Sequence, residues 1–341
     1  MINATFSKHK LHFKQASGTS RGVLHSKDTY ILSLSDGQNI GLGECNLFAG
    51  LSYDDRPDYE TVLQATCQQI TQNPSINFSQ LMADLQQYPS VVFGLEQALA
   101  NLTHGKHLYF PNDFSLNGAG ININGLIWMG DIGFMQKQID QKLAENYKCI
   151  KLKIGVNWPQ EHQIIKDLRK IYTAQQLEIR VDANGAFSPE QAPKVLQQLQ
   201  QLQIHSIEQP IKAGQRQAMQ SLCANSPCPI ALDEELIGIT HPQAQAQLLA
   251  EIKPQYIILK PALVGGFAAS QRWIDLAQTQ GIGWWITSAL ESNIGLNALA
   301  QWTYGLQSPM PQGLGTGGLF DNNFDGPLYL KDDFLYCNPC S

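Results

Sequence analysis

A chain of 341 residues exceeds one small domain and can hold a barrel with roughly 100 residues to spare. Its 43% hydrophobic and 15% charged content is that of an ordinary soluble globular protein. The formal net charge of −6 gives no electrostatic reason to bind nucleic acid or an anionic membrane surface, so both partners are disfavoured. The first ten residues lack the apolar core of a signal peptide, and no run approaches the ~18 apolar residues needed to cross a bilayer. Seven scattered cysteines, an odd number, suit reduced thiols, and the expected compartment is the cytoplasm.

Residues 1 to about 50 read as β-rich. Thr29–Leu34 runs into the turn residues Asp36-Gly37, and Ile40-Gly-Leu-Gly-Glu44 resumes the extended pattern. The preceding Ser17–Gly22 is glycine- and serine-rich, hence a mobile loop. Its Arg21 could reach an anionic substrate or simply sit solvated beside a turn. Pro57 opens a helix in which Tyr59, Val62, Leu63, Thr66 and Ile70 keep helical spacing. A second helix follows Ser79, and a third runs from Pro89 to Thr103. Sheet followed by helices predicts an α+β domain over residues 1–115, with 105–118 as the linker.

A barrel is expected over 116–317, opening with a strand at Gly120–Trp128. Five short apolar runs then end on a charge: Ile150–Lys153, Ile179–Asp182, Ser206–Glu208, Ile230–Asp233 and Ile257–Lys260. Such runs read as buried parallel strands. From Lys153 the intervals to Asp182, Glu208, Asp233, Lys260, Ser288 and Gly315 are 29, 26, 25, 27, 28 and 27 residues. A strand-turn-helix-turn unit keeps that period, and repeated units close into a (β/α) barrel. Helices fill the gaps at about 131–146, 158–173, 188–202, 214–224, 241–250, 267–280 and 293–304. Ser188-Pro189 and Thr240-His-Pro242 look like capping residues ahead of first-turn prolines. Trp284 and Trp285 open the seventh strand as packing residues, and 318–341 return to the first domain.

Barrel strands deliver reactive residues from their C-terminal ends to one mouth. Asp182, Glu208 and Asp233 there offer three hard oxygen ligands, which favour Mg²⁺, with Mn²⁺ possible. The alternative is that each acid simply pairs with a lysine or arginine. Lys151 and Lys153 point the same way from one strand, and Lys260 faces them across the mouth. A lysine near a dication and another lysine gives up its proton more readily, which suits a general base. Metal and base together fit proton abstraction next to a carboxylate.

Here the chain resembles the enolase superfamily in its muconate-lactonizing-enzyme subgroup, and within that the o-succinylbenzoate synthases. The resemblance rests on Lys151-x-Lys153, Arg180-Val-Asp-Ala-Asn184, Ile207-Glu-Gln-Pro210, Asp233-Glu234, Lys260-Pro261 with Gly265-Gly266, Ser288-Ala-Leu-Glu-Ser-Asn-Ile-Gly295 and Gly313-Leu-Gly-Thr316. Phe93-Gly-Leu-Glu96 resembles the family's capping domain, so the likeness covers nearly the whole chain. It implies a (β/α)₇β barrel, class α/β, under an α+β capping domain built from both chain ends. It implies that Asp182, Glu208 and Asp233 hold Mg²⁺, that Lys153 removes an α-proton and returns it to departing hydroxide, and that Lys260 stabilises the enediolate. Lys151 would support Lys153 and the carboxylate, while Arg21, Asn184, Ser288, Gly315 and Thr316 would bind the small-molecule carboxylate substrate. The implied reaction is loss of water from 2-succinyl-6-hydroxy-2,4-cyclohexadiene-1-carboxylate, a step towards menaquinone. Gly315 stands where the family's Gly-Leu-Asp-Thr has aspartate, and the Asp-x-Asp of dipeptide epimerases is absent, which argues against them. Racemisation of N-acylamino acids stays open, as does a catalytically inactive carboxylate-binding protein.

Two further patterns read as non-functional. Gly313–Gly318 fits a dinucleotide glycine pattern, but only 23 residues follow, so an anion-binding loop after the eighth strand makes better sense. Cys337-Asn-Pro-Cys340 has redox or zinc spacing without a second ligand pair and reads as chance.

Overall fold

The structure is a computed structural model that describes residues 1–19 and 22–339. β1 (Asn3–Thr19), β2 (Gly22–Ser35) and β3 (Ile40–Cys45) form an antiparallel sheet in chain order. At the β2–β3 turn Asp36 accepts from the N–H groups of Gln38 (2.8 Å) and Asn39 (2.7 Å). The segment read as a mobile loop differs from that reading. Ser17, Gly18 and Thr19 pair with Leu24, Val23 and Gly22, so ladder hydrogen bonds carry the ribbon into it. Arg21 lies outside the described residues.

Three helices cover one face of this sheet: α1 (Tyr59–Gln72), α2 (Phe78–Asp84) and α3 (Pro89–His104). α3 lies almost on the backbone of β3. A Cβ on Gly43 would stand 1.9 Å from the carbonyl oxygen of Gly94, and one on Gly94 would stand 2.4 Å from Cys45 Sγ. Glycine at both positions permits that approach, which gives a physical reason for the Gly-Leu-Gly and Phe-Gly-Leu-Glu patterns. The expected linker contains one turn of helix, α4 (Asp113–Asn117), closed by a capping box between Asn112 and Ser115.

The stretch from Gly120 to Trp128 is not one strand. β4 (Ile121–Asn122) pairs with the C-terminal tail, and only β5 (Gly125–Ile127) enters the barrel. The backbone changes partner between them: Ile123 donates to the carbonyl of Asp333, and Asn124 to that of Gln312. The barrel then proceeds through α5 (Ile132–Ala144), β6 (Cys149–Lys153), α6 (Trp158–Ile171), β7 (Glu178–Asp182), α7 (Ala192–Gln201) and β8 (Ser206–Glu208). It continues with α8 (Arg216–Asn225), β9 (Ile230–Leu232), α9 (Pro242–Ile252), β10 (Tyr256–Leu259), α10 (Pro261–Val264), α11 (Gly266–Thr279), β11 (Gly283–Ile286) and α12 (Asn293–Gly305).

Strands β5 to β11 are parallel and adjacent in chain order. The eighth position is filled by bridges from Gln312 to Ile123 and from Gly313 to Thr287, which close the ring without a regular strand. Two helix starts also differ from the reading. α7 begins at Ala192, so Ser188 serves a preceding turn, and α9 is preceded by His241 with no side-chain cap.

Beyond the barrel the tail first meets β1, where Lys14 donates to the Leu319 carbonyl at 2.9 Å and Phe13 bridges Phe320. It then forms the hairpin β12 (Leu328–Lys331) and β13 (Phe334–Cys337) against β4. Apolar burial falls into a large barrel core and a separate core between α1, α3 and the N-terminal sheet. Trp285 packs with Ala231 and Ile258 inside the barrel, and the Arg180 guanidinium lies 4.3 Å over its ring. Among the described residues Cys45, Cys67, Cys149, Cys223 and Cys228 are buried free thiols and Cys337 is buried; Cys340 lies outside the described residues.

Two carboxylates fasten the N-terminal elements to the barrel. Glu96 of α3 accepts from the N–H groups of Phe267 and Ala268 (3.0 Å) at the start of α11. Gly266 makes room: its φ is +85°, and a Cβ there would stand 2.2 Å from the Glu96 carboxylate. Glu44 of β3 takes the same position at α12, accepting from Ser292 N (3.0 Å), Ser292 Oγ (2.6 Å) and Gly295 N (3.0 Å). Burial pushes the Glu96 carboxyl from 4.5 up to about 7, against the pull of its two backbone donors. A folded-state pKa above the unfolded one means that this contribution to stability is present at low pH and lost as pH rises through about 7. The loss of melting temperature between about pH 5 and pH 8 should therefore be smaller in Glu96→Gln than in the parent, by about 3 °C or more. Equal losses in the two proteins would remove Glu96 as the titrating group.

Candidate active site

The strand ends place six charges in one buried volume. Parallel register sets Lys153 beside Asp182 and Asp182 beside Glu208, while Asp233 and Lys260 follow directly on β9 and β10. Lys151 joins them because it lies two residues before Lys153 and shares its face. All six are at most 9% exposed. Lys153 Nζ stands 2.7 Å from Asp182, Lys151 Nζ is 3.0 Å from Asp182 and also meets Glu208, and Lys260 Nζ meets Asp233 and lies 3.8 Å from Glu208. β6 and β10 stand four places apart in a ring of eight positions, so Lys153 and Lys260 approach from opposite sides.

The electrostatics follow from burial and pairing. Burial alone would push Asp182 up, but Lys151, then Lys153 and Lys260, hold its carboxyl well below the usual range. Asp233 is likewise lowered, since Lys260 outweighs its burial. Glu208 goes the other way: burial, then the neighbouring Asp182, raise it well above an ordinary carboxyl. Burial pulls Lys151 and Lys260 down, yet the facing carboxylates more than offset it and both are raised.

The donor chemistry fits a hard divalent ion. Three carboxylates come from three adjacent strands, and Glu208 Oε1 is buried with no hydrogen-bond partner. The present rotamers do not form a ready cage: among the described residues, no three His, Cys, Asp or Glu side chains stand close enough together to hold an ion. The lysine ammonium groups occupy that role instead, so Lys151 and Lys260 would have to turn aside for a metal. Gln209 supports the acids from beneath, its Oε1 accepting from the N–H groups of Asp233 and Glu235 at 3.2 Å each.

Lys151, Lys153 and Lys260 line a cavity of about 80 Å³ together with Ser288, Gly315 and Thr316. Asn184 is brought to the same place by another route. Its Oδ1 accepts from Lys153 Nζ at 2.7 Å, its N–H donates to Asp182 at 3.0 Å, and its amide donates to Glu234 at 2.9 Å. Gly313 belongs to the barrel seam, where a Cβ would stand 2.5 Å from Thr287 Oγ1.

Several cavity residues carried no sequence signal. Phe48 and Leu51 reach in from beyond β3, Leu126 and Trp128 come from β5 and its exit, and Leu290 comes from the turn after β11. Asn124 and Thr287 also line the cavity, and each has a buried side-chain oxygen without a partner. Glu291, quoted only as part of a motif, proves to bind the Ser288 hydroxyl. Its position between Ser288 and a helix start was the available clue.

The family model described as enolase C-terminal domain-like matches residues 135–336. The o-succinylbenzoate synthase of Desulfotalea psychrophila is 46% identical, over 98% of this chain and 98% of its own length. The crystal structure of MenC from Desulfotalea psychrophila LSv54 superposes with a TM-score of 0.88 at 41% identity, covering 98% of this chain and 99% of that one. A dipeptide epimerase from Enterococcus faecalis V583, solved with Mg and L-Leu-L-Tyr, gives a TM-score of 0.86 at 17% identity over 99% and 97% of the two chains, a likeness of fold alone. This chain is an enzyme that belongs to the enolase superfamily, and it is similar along its whole length to an o-succinylbenzoate synthase.

Proposed function

We propose that this enzyme is an o-succinylbenzoate synthase, which dehydrates 2-succinyl-6-hydroxy-2,4-cyclohexadiene-1-carboxylate. The observation that carries the reading is the opposition of Lys153 and Lys260 across one cavity, each paired with a buried acid, in a chain 46% identical to such a synthase. Asp182, Glu208 and Asp233 would hold Mg²⁺, with Mn²⁺ as the alternative. When bound, the ion would supply positive charge for the substrate carboxylate and draw the acids away from the lysines.

The rest is work for the chain's own residues. Lys153 Nζ, oriented by Asn184, takes the proton from the carbon bearing the ring carboxylate. The electron pair moves into that carboxylate as an enediolate, and the Lys260 ammonium on the opposite side stabilises the charge. When the electrons return, the bond to the 6-hydroxyl breaks, Lys153 protonates the departing hydroxide, and water leaves the aromatic product. Lys151, paired with Asp182 and Glu208, supports Lys153 and the substrate carboxylate. Ser288, Gly315 and Thr316 shape the wall that receives the substrate. Arg21 remains a proposed substrate contact that lies outside the described residues.

The two facing lysines also suit racemisation of N-acylamino acids. A partial relative points the same way: an N-succinylamino acid racemase of Thermus thermophilus is 31% identical over 46% of this chain. Two predictions follow from the charge arrangement. Turnover of the cyclohexadiene with Mg²⁺, followed by loss of diene absorbance, should stop with chelator and fall at least about 1,000-fold in Lys153→Ala. A folded, Mg²⁺-loaded protein that leaves the diene untouched, yet exchanges α-protons of N-acylamino acids in deuterium oxide, would replace the synthase by the racemase. Separately, Lys151→Met leaves buried Glu208 and Asp182 short of a partner and should cost about 3 to 5 kcal/mol in denaturant unfolding without metal. Saturating Mg²⁺ should recover most of that loss. A variant equally unstable with and without Mg²⁺ would count against the carboxylates as its ligands.

A further inference from the structure

A second line of buried polar groups runs from the N-terminal sheet to the cavity wall. Lys27 of β2 donates to Asn46 Oδ1, just beyond β3. The Asn46 amide donates to Ala289 O at 3.0 Å and to Glu291 Oε1 at 3.1 Å. Glu291 accepts again from Ala289 N at 3.1 Å, and its other oxygen accepts from the Ser288 hydroxyl. Ser288 Oγ in turn meets Thr316 Oγ1 at 2.8 Å and receives the N–H of Leu290 at 3.0 Å. Every member of this line is at most 9% exposed.

The direction of each hydrogen bond is fixed by donor supply. A carbonyl and a carboxylate can only accept, so the Asn46 nitrogen must face Ala289 and Glu291. That leaves its oxygen for Lys27, which can only donate. A carboxylate likewise forces the single Ser288 hydrogen towards Glu291. The contact between the two hydroxyls must then run from Thr316 to Ser288, and the Thr316 hydrogen is spent inside the wall. Thr316 Oγ1 is left with lone pairs, and it lines the cavity.

We propose that Lys27, Asn46 and Glu291 are positioning residues that hold Thr316 Oγ1 as an acceptor, so that this wall selects a substrate hydroxyl or N–H. The inference rests on the proposed site, and it assigns the part of the substrate that meets strands seven and eight. A ring hydroxyl and an acylated amine both carry the required donor. Neither a second carboxylate nor an ester oxygen does.

The test compares two isosteric ligands by calorimetry on the Mg²⁺-loaded enzyme: N-succinyl-L-leucine, and the ester in which oxygen replaces its N–H. The parent protein is expected to bind the amide at least about tenfold more tightly. In Glu291→Gln the amide of the new side chain can donate to Ser288, which turns the Ser288 hydrogen to Thr316 and the Thr316 hydrogen to the cavity. The preference should then fall to less than about threefold or reverse. Lys27→Gln keeps a donor to Asn46 Oδ1 and should keep the preference. A purely structural role would weaken both ligands alike. A parent that binds the two equally, or a folded Glu291→Gln that retains the tenfold preference, overturns the proposal. Binding is read without turnover, so a failure of the dehydration assay would count against the proposed activity and leave this comparison standing.

Discussion

Every part of the site depends on one constraint, the cost of an unpaired charge in a buried place. Asp182, Glu208 and Asp233 are at most 2% exposed, and an isolated carboxylate so placed would be several kcal/mol less stable than in water. Parallel register makes the remedy local, because it lays Lys153, Asp182 and Glu208 in a row across β6, β7 and β8. Lys260 then closes the row from β10 against Asp233. The arrangement that relieves burial is also the arrangement that aims two amines at one cavity. Stability and chemistry are drawn from the same pairs, so a substitution at any of the six moves both.

The N-terminal elements are attached where this cluster needs them. Lys260 is followed by α10 and the start of α11, and that start is held by Glu96. Ser288 and Glu291 are followed by α12, whose start is held by Glu44. Two helices that position the far side of the cavity are therefore capped by carboxylates from the other sheet-and-helix layer. The glycines at 43, 94 and 266 allow the close contact, and larger residues there would push α3 away from both β3 and α11.

The fold and the charged centre were legible because both are local signals. A charge at the end of a short aliphatic run is improbable unless it is used, and its recurrence at 25 to 29 residues gives the barrel. What escaped was long-range. Nothing near Gly120 tells that Ile121 and Asn122 will pair with Leu335 and Phe334, more than two hundred residues later. Ser17–Thr19 and Gly22 looked like loop because their pairing depends on a partner strand rather than on local composition. Phe48 and Leu51 looked like ordinary apolar residues, and only the docking of the two layers turns them into cavity wall. Glu291 was within a motif but had no evident task until Asn46 was placed beside it.

The two sequence-based readings of the acids, metal ligands or lysine partners, are compatible within one charge balance. Three carboxylates and three ammonium groups sum to zero, so their mutual pairing offsets the cost of burying each charge. A divalent ion alone would leave an excess of two positive charges in that volume, a cost that grows with burial. The proposed substrate carries two carboxylates, and its entry with the ion restores neutrality. Glu208 Oε1, without a hydrogen bond, and the raised Glu208 carboxyl mark the place where this balance is weakest. On this argument metal and substrate favour one another, and the site has little reason to hold either alone.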